Sequence, residues 1–292
     1  MKINISKFLQ APPNVFIFKH APLFISKRYL RLLGKLYYIA NSKERKLIER
    51  NITDVFGTGG KAEHIVQKTF DGIFSHYTEK LLMAYKNLNI LKKEIGQVLE
   101  FSGLDTLEDA YNNGGVVLVT GHFGAVEYLP LALHLKHYPV SIIMCFQTEQ
   151  LRKSVAEKAS QGNVEIIDGH SPDVFSQAIS AIRRGRILLT ECDEFDVWKT
   201  HKDKTMDAFG GRILIDKSVE VLCRRTGARV LASFMLRTEK GYHLSIVPIT
   251  ETDEKKTDLA ASILKVFESF VMSFPDQWYQ WKKFHKMRPE VG

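Results

Sequence analysis

The sequence predicts an α/β fold: a mostly parallel central sheet flanked by helices, preceded by an N-terminal helical segment. Two observations predict it. From about residue 114, short apolar β-branched runs alternate with helical stretches. Before residue 100 the apolar spacing is helical. A chain of 292 residues is long enough for one large domain, or for a main domain with a helical extension. The expected division is residues 1–100 and 101–292, integrated into a single unit.

The first helix expected is "SKRYLRLLGKLYYIA" (26–40), with Lys27, Arg31 and Lys35 on one side and Leu33, Leu36, Tyr37 and Ala40 on another. Two readings compete for it. Basic and apolar residues together suit a helix lying in an anionic headgroup layer, and Phe24 and Ile25 just before it favour that reading. The alternative is a helix packed on the main domain with a solvated basic face. Helices over about 43–56 and 62–86 follow, the latter with Val66, Phe70, Ile73, Phe74, Tyr77 and Leu81 on one face. "GTGGK" (57–61) joins them as a linker; it lacks the preceding strand and the spacing of a phosphate loop.

"VVLVT" (116–120), "VSIIMCF" (140–146), "NVEII" (163–167) and "ILLT" (187–190) read as strands, with a helix from about Ala125 after the first. "SPDVFSQAISAIRRG" (171–185) reads as a helix capped by Ser171, with Pro172 in its first turn and Gly185 at its end. A helix at about 215–226 ends at Gly227, and "RVLASFMLR" and "YHLSIVPI" make a hairpin across Glu239-Lys240-Gly241. A last helix at about 257–273 precedes the aromatic tail "DQWYQWKKFH", which can line a pocket, cover the core or touch a membrane.

The net charge of +8 points to anionic partners. No compact Lys/Arg block or nucleic-acid motif is present, so nucleic acid is not among the expected partners. Cys145, Cys192 and Cys223 lack paired spacing and read as buried free thiols in a reducing, cytoplasmic setting. No cleaved signal sequence and no run of 18 apolar residues is expected to anchor the chain, so a membrane would be met at its surface.

"TGHFGAVEYLP" (120–130) carries the chemistry. Ligands in open α/β sheets gather beyond the C-terminal ends of strands, and His122 falls two residues after "VVLVT". Gly121 and Gly124 let the backbone turn and let a substrate approach. His122 and Glu127 could not share a face of one helix. With His122 in the loop, Glu127 can reach back to the ring, fix its tautomer and leave Nε2 as a base. A capping or buried-network histidine is the alternative. "TECDEFD" (190–196) can bring Glu191, Asp193, Glu194 or Asp196 near His122, a weak metal signal, and no metal is expected. There is no G-x-S-x-G elbow, no H-E-x-x-H and no G-x-G-x-x-G opening a helix.

"HFGAVE" matches the H-x4-[DE] motif of the lysophospholipid and glycerolipid acyltransferases, and the chain most resembles their branch of bacterial late lipid A acyltransferases. The order of Gly114-Gly115, "VVLVT", the motif, "LLTECD", "AFGGR", "EVLCRRTGARVLASFMLR" and "QWYQWKKFH" carries that resemblance over roughly residues 40–285. It implies the glycerolipid-acyltransferase-like fold, His122 as general base and Glu127 as its support. Arg212 matches the family arginine and implies a phosphate or sugar contact. Glu191 stands at an aspartate position and Cys192 at a glutamine position, and Ala125-Val126 replace Asn-Trp. Substrate contacts are expected at Gly121, Gly124, Glu191, Asp193 and Arg212.

The expected activity is transfer of a fatty acyl chain from an acyl carrier protein or coenzyme A thioester to a hydroxyl of a membrane glycolipid or lipid A-type acceptor. No tightly bound cofactor and no acyl-enzyme is required, and backbone N–H groups near Gly121 to Gly124 would stabilise the oxyanion. The expected location is the cytoplasmic face of the inner membrane, on anionic lipid. Ester or thioester hydrolysis by the same pair, and non-catalytic lipid binding, are the rival readings.

Overall fold

The computed structural model describes residues 9–146, 148–194, 204–249 and 258–289. Five helices lead the described chain: α1 (Pro12–His20), α2 (Leu23–Ala40), α3 (Ser42–Phe56), α4 (Gly60–Tyr85) and α5 (Leu88–Gly96). β1 (Leu99–Ser102), α6 (Leu104–Asn112) and β2 (Val116–Thr120) follow, then a single 3₁₀ turn (Val126–Tyr128) running into α7 (Leu129–Leu135). The alternation continues through β3 (Val140–Met144), α8 (Glu149–Gln161), β4 (Val164–Asp168), α9 (Val174–Arg183) and β5 (Ile187–Glu191). A small hairpin, β6 (Thr205–Ala208) and β7 (Gly211–Leu214), precedes α10 (Ser218–Thr226), β8 (Arg229–Arg237), β9 (Tyr242–Pro248) and α11 (Leu259–Ser273).

The main sheet has the order β1-β9-β8-β2-β5-β3-β4. Every neighbouring pair is parallel except the β8–β9 hairpin. β2 lies at its centre and is buried along its whole length, which suits the uniformly apolar Val116, Val117, Leu118 and Val119. Side chains at caps define helix ends the periodicity leaves vague: Asn87 accepts from Asn89 and Ile90, Thr148 from Leu151, and Asp258 from Ala260. Gly227, left-handed at φ 72°, ends α10 as expected.

Some elements differ from expectation. α9 starts at Val174, and Ser171 bonds the Asp173 carboxylate instead of capping the helix. "AFGGR" forms the β6–β7 hairpin, with Phe209 and Gly210 both at positive φ, as its two-residue turn requires. The helical segment and the sheet share one apolar core: Ile48, Ile52, Phe70 and Ile73 cluster with Phe123, Phe234, Trp278 and Trp281. Trp278 and Trp281 are fully buried, so the aromatic tail covers the core. The cysteines are not buried as expected: Cys145 is exposed, and Cys192 and Cys223 are half-buried. Cys145 follows β3 at a cleft, where its side chain escapes the sheet interior.

On α2, Ile25, Leu32, Leu36 and Ile39 stand exposed at intervals of one helix face, with Phe24 beside them and Phe16 of α1 also exposed. Leu33 is half-buried, and the side chains of Tyr37 and Ala40 lie outside the described set. No helix among the described residues is long and apolar enough to cross a membrane.

Candidate active site

β2 and β5 run parallel in register, with Thr120 opposite Glu191. Two residues further on, the same register sets His122 beside Asp193. The buried Asp193 carboxylate accepts the His122 backbone N–H at 2.9 Å through Oδ2 and faces the ring Nδ1 at 3.0 Å through Oδ1. Trp278 Nε1–H donates to Oδ2 at 2.8 Å. With a carboxylate at Nδ1, that nitrogen carries the proton and Nε2 turns to the cleft. Phe209, at the tip of the β6–β7 hairpin, stacks on Trp278 at 5.9 Å, so the "AFGGR" segment backs the indole that holds Asp193.

Nε2 meets two more carboxylates, Glu191 at 3.4 Å and Glu194 at 3.2 Å. Glu194 is tethered by Lys283 and Gln280. Burial alone would lower the His122 pKa, but Glu191 and Asp193 outweigh it and push the value up to about 9. Glu191 is raised to about 7 by burial, against the pull of His122 and with the crowding of Asp193 and Glu194. Asp193 is lowered: burial opposes its charge, but His122 and the hydrogen bonds it receives prevail. Ligand atoms of His122, Glu191 and Glu194 all lie within 4.8 Å of one another, close enough to hold a metal ion. Asp196 of the same acidic run lies outside the described residues.

Glu127 is placed differently from the expectation. Its carboxylate pairs with Lys80 Nζ at 3.5 Å and lies 3.4 Å from His76 Nδ1, both on α4, while Asp193 holds the Nδ1 position of His122. The 3₁₀ turn after the motif loop turns Glu127 toward α4. His76 stacks on Tyr279 at 4.1 Å, and Tyr279 meets the His122 ring edge-on at 5.6 Å. His76 and Lys80 were missed from the sequence, where they sit in an ordinary amphipathic pattern; a histidine and a lysine four apart on one helix was the available signal.

The glycines serve the backbone. Gly124 has φ 56°, and a Cβ there would collide with the Met235 carbonyl; a Cβ on Gly121 would enter the Phe267 ring. The close approach is therefore made by the protein's own atoms. The N–H groups of His122, Phe123, Gly124 and Ala125 are all taken, by Asp193, Gly121 O, Gln277 O and Met235 O. These four are thus unavailable for the oxyanion. Arg212 stands exposed on β7, opposite Asp207, and is not among the residues of the cleft at His122.

That cleft spans about 1270 Å³, part of it open to solvent. His122, Lys80, Glu127, Glu191 and Glu194 gather at its polar part, and Leu131, Ile142, Val155, Ala159, Val164 and Ile166 line an apolar reach under α8. A family model described as bacterial lipid A biosynthesis acyltransferase matches residues 14–286. The chain belongs to this family. It is accordingly an acyltransferase enzyme of the lipid A type. A comparison with curated proteins finds no match.

Proposed function

We propose that this acyltransferase moves a fatty acyl chain from an acyl carrier protein or coenzyme A thioester to a hydroxyl of a lipid A-type glycolipid, with His122 as general base. The observation that carries the reading is Asp193, which grips both the backbone and the ring of His122 and leaves Nε2 facing a cleft with an apolar reach. Neutral His122 takes the hydroxyl proton as the oxygen attacks the thioester carbonyl. Asp193 stabilises the imidazolium. The departing sulfur then recovers the proton. Glu191 and Glu194 stand where the acceptor hydroxyl must enter, and they orient it. The alkyl chain occupies the apolar reach. No tightly bound cofactor is needed for these steps. Gly121 and Gly124 shape the loop rather than touch substrate, and Arg212 serves phosphate or sugar recognition at the surface.

Incubation of the protein with acyl-carrier-protein or acyl-coenzyme A donors, with and without a bacterial lipid extract, tests the reading. Label should move into a lipid band, and His122→Ala should reduce turnover at least about 10²-fold. Thioester release that needs no acceptor, or a His122→Ala variant with wild-type turnover, overturns it.

The exposed stripe of α2, flanked by Arg28, Arg31 and Lys35, supports peripheral docking on anionic lipid at the cytoplasmic face of the inner membrane. The double variant Leu32→Glu/Leu36→Glu should release the protein from anionic vesicles in a sedimentation assay; unchanged sedimentation would remove α2 from the docking surface.

A further inference from the structure

Acyl transfer through a tetrahedral intermediate needs a donor for the oxyanion, and four N–H groups of the motif loop do not supply one. The backbone N–H groups of residues 122 to 125 are consumed inside the protein. A positive side chain at the polar part of the cleft can supply one. Lys80 lines the cleft together with His122, Glu127 and Glu191, and its side chain is 26% exposed, enough to meet a substrate. Lys158 and His134 also line the cleft, but neither has an ion pair to a cleft carboxylate among the described residues. Glu127 Oε1 pins the Lys80 ammonium at 3.5 Å and is itself backed by His76, one turn earlier on α4.

The charge of this group is secure. Burial works against the ammonium, but Glu127 and then Glu191 outweigh it and hold its pKa above the ordinary value. The neighbouring His76 goes the other way: burial and Lys80 lower it well below its usual range, so it stays neutral and does not compete for the anion. The glutamate of "HFGAVE" thereby acquires a function that its distance from the catalytic ring leaves open.

We infer that Lys80 is the oxyanion-stabilising residue of this enzyme and that Glu127 is the residue that positions it; the inference rests on the acyl-transfer reading above. As the acceptor oxygen bonds to the thioester carbon, its proton passes to His122 Nε2. The carbonyl π pair moves onto oxygen, where the Lys80 ammonium donates to it. Collapse restores the carbonyl, breaks the C–S bond, and returns the proton from His122 to sulfur.

The experiment compares wild type, Lys80→Met, Lys80→Arg, Lys80→Ala, Glu127→Gln and His122→Ala in the lipid-transfer assay, with far-ultraviolet circular dichroism to check folding. It also measures affinity for an acyl trifluoromethyl ketone analogue of the donor, which adds water to give a tetrahedral gem-diol that mimics the oxyanion, and for a thioether analogue, which has no such oxygen. Lys80→Met should lower kcat about 10²–10³-fold with little change in KM. It should weaken ketone binding while sparing the thioether. Lys80→Arg should retain part of the rate, and ethylammonium should partly rescue Lys80→Ala if Met proves too disruptive. Glu127→Gln should lower kcat by a smaller factor without moving the pH profile set by His122.

A folded Lys80→Met with kcat within about threefold of wild type, or one that loses ketone and thioether affinity equally, overturns the Lys80 assignment alone. A wild-type protein that neither transfers the chain nor binds the ketone overturns both this assignment and the acyl-transfer reading.

Discussion

His122 and His76 touch the same tyrosine, yet their proton affinities diverge. Tyr279 meets His122 edge-on at 5.6 Å and stacks on His76 at 4.1 Å. His122 sits among Asp193, Glu191 and Glu194 at the ends of β2 and β5, and its pKa rises to about 9. His76 sits on α4 with Lys80 and near Arg237, and burial, then Lys80, lowers its pKa well below the usual range. Desolvation lowers both, so it does not separate them; the sign of the surrounding charge does. The sheet thus delivers an acidic pole and α4 a basic one, with Glu127 the carboxylate that belongs to the second. The partition fits a reaction that needs a proton acceptor on one side and an anion stabiliser on the other.

The sharpest way to break the acidic pole is Asp193→Asn. The side chain keeps its size but no longer balances an imidazolium, and kcat should fall about 10²–10⁴-fold with the fold retained. Turnover within about threefold of wild type would remove Asp193 from the mechanism. The basic pole is broken from behind. Glu79 and Arg237 form a two-pronged pair at 2.8 and 2.7 Å between α4 and β8, and Gln277 holds the Arg237 backbone from the tail. Glu79→Leu leaves the guanidinium without its partner and should cost about 3–5 kcal/mol of stability in urea unfolding. A loss below about 1 kcal/mol would mean that apolar packing alone docks α4.

The acidic pole was largely legible in the sequence, the basic one was not. "VVLVT" and "ILLT" are buried-type runs, and each is followed at once by polar residues, so placing His122 near the "TECDEFD" run needed only that the two strands be neighbours. What escaped was the role of that run: Asp193 reads as one acid among several until the register sets it against Nδ1. The loop alone does not place Glu127. The turn at 126–128 and the docking of α4, about fifty residues upstream, decide where it goes. His76 and Lys80 lie inside a helix whose apolar spacing explains its shape without them. β1 escaped too, being a four-residue edge strand with alternating half-buried and exposed positions. Short edges and long-range helix docking leave little trace in local pattern.

The pH dependence tests the acidic pole most finely. The base form of His122 is the neutral one, so with a folded pKa of about 9 turnover should climb about tenfold per pH unit from neutrality and level off near 9. Stability should run the other way: a pKa raised from 6.5 means the protonated ring stabilises the fold below 6.5, and that contribution is lost as pH rises through about 9. Glu191 is the largest of the charges that raise His122, and it faces Nε2 at 3.4 Å. Glu191→Gln should therefore shift the rising limb of the rate profile to lower pH. Because Glu191 itself titrates at about 7, the shift should be plain only above that pH, where the wild-type carboxylate is ionised. A limb that stays in place would show that Asp193 alone sets the proton affinity of the ring. A profile flat from pH 6 to 9 would mean either that another step limits turnover or that His122 is not the base, and single-turnover rates across the same range separate the two.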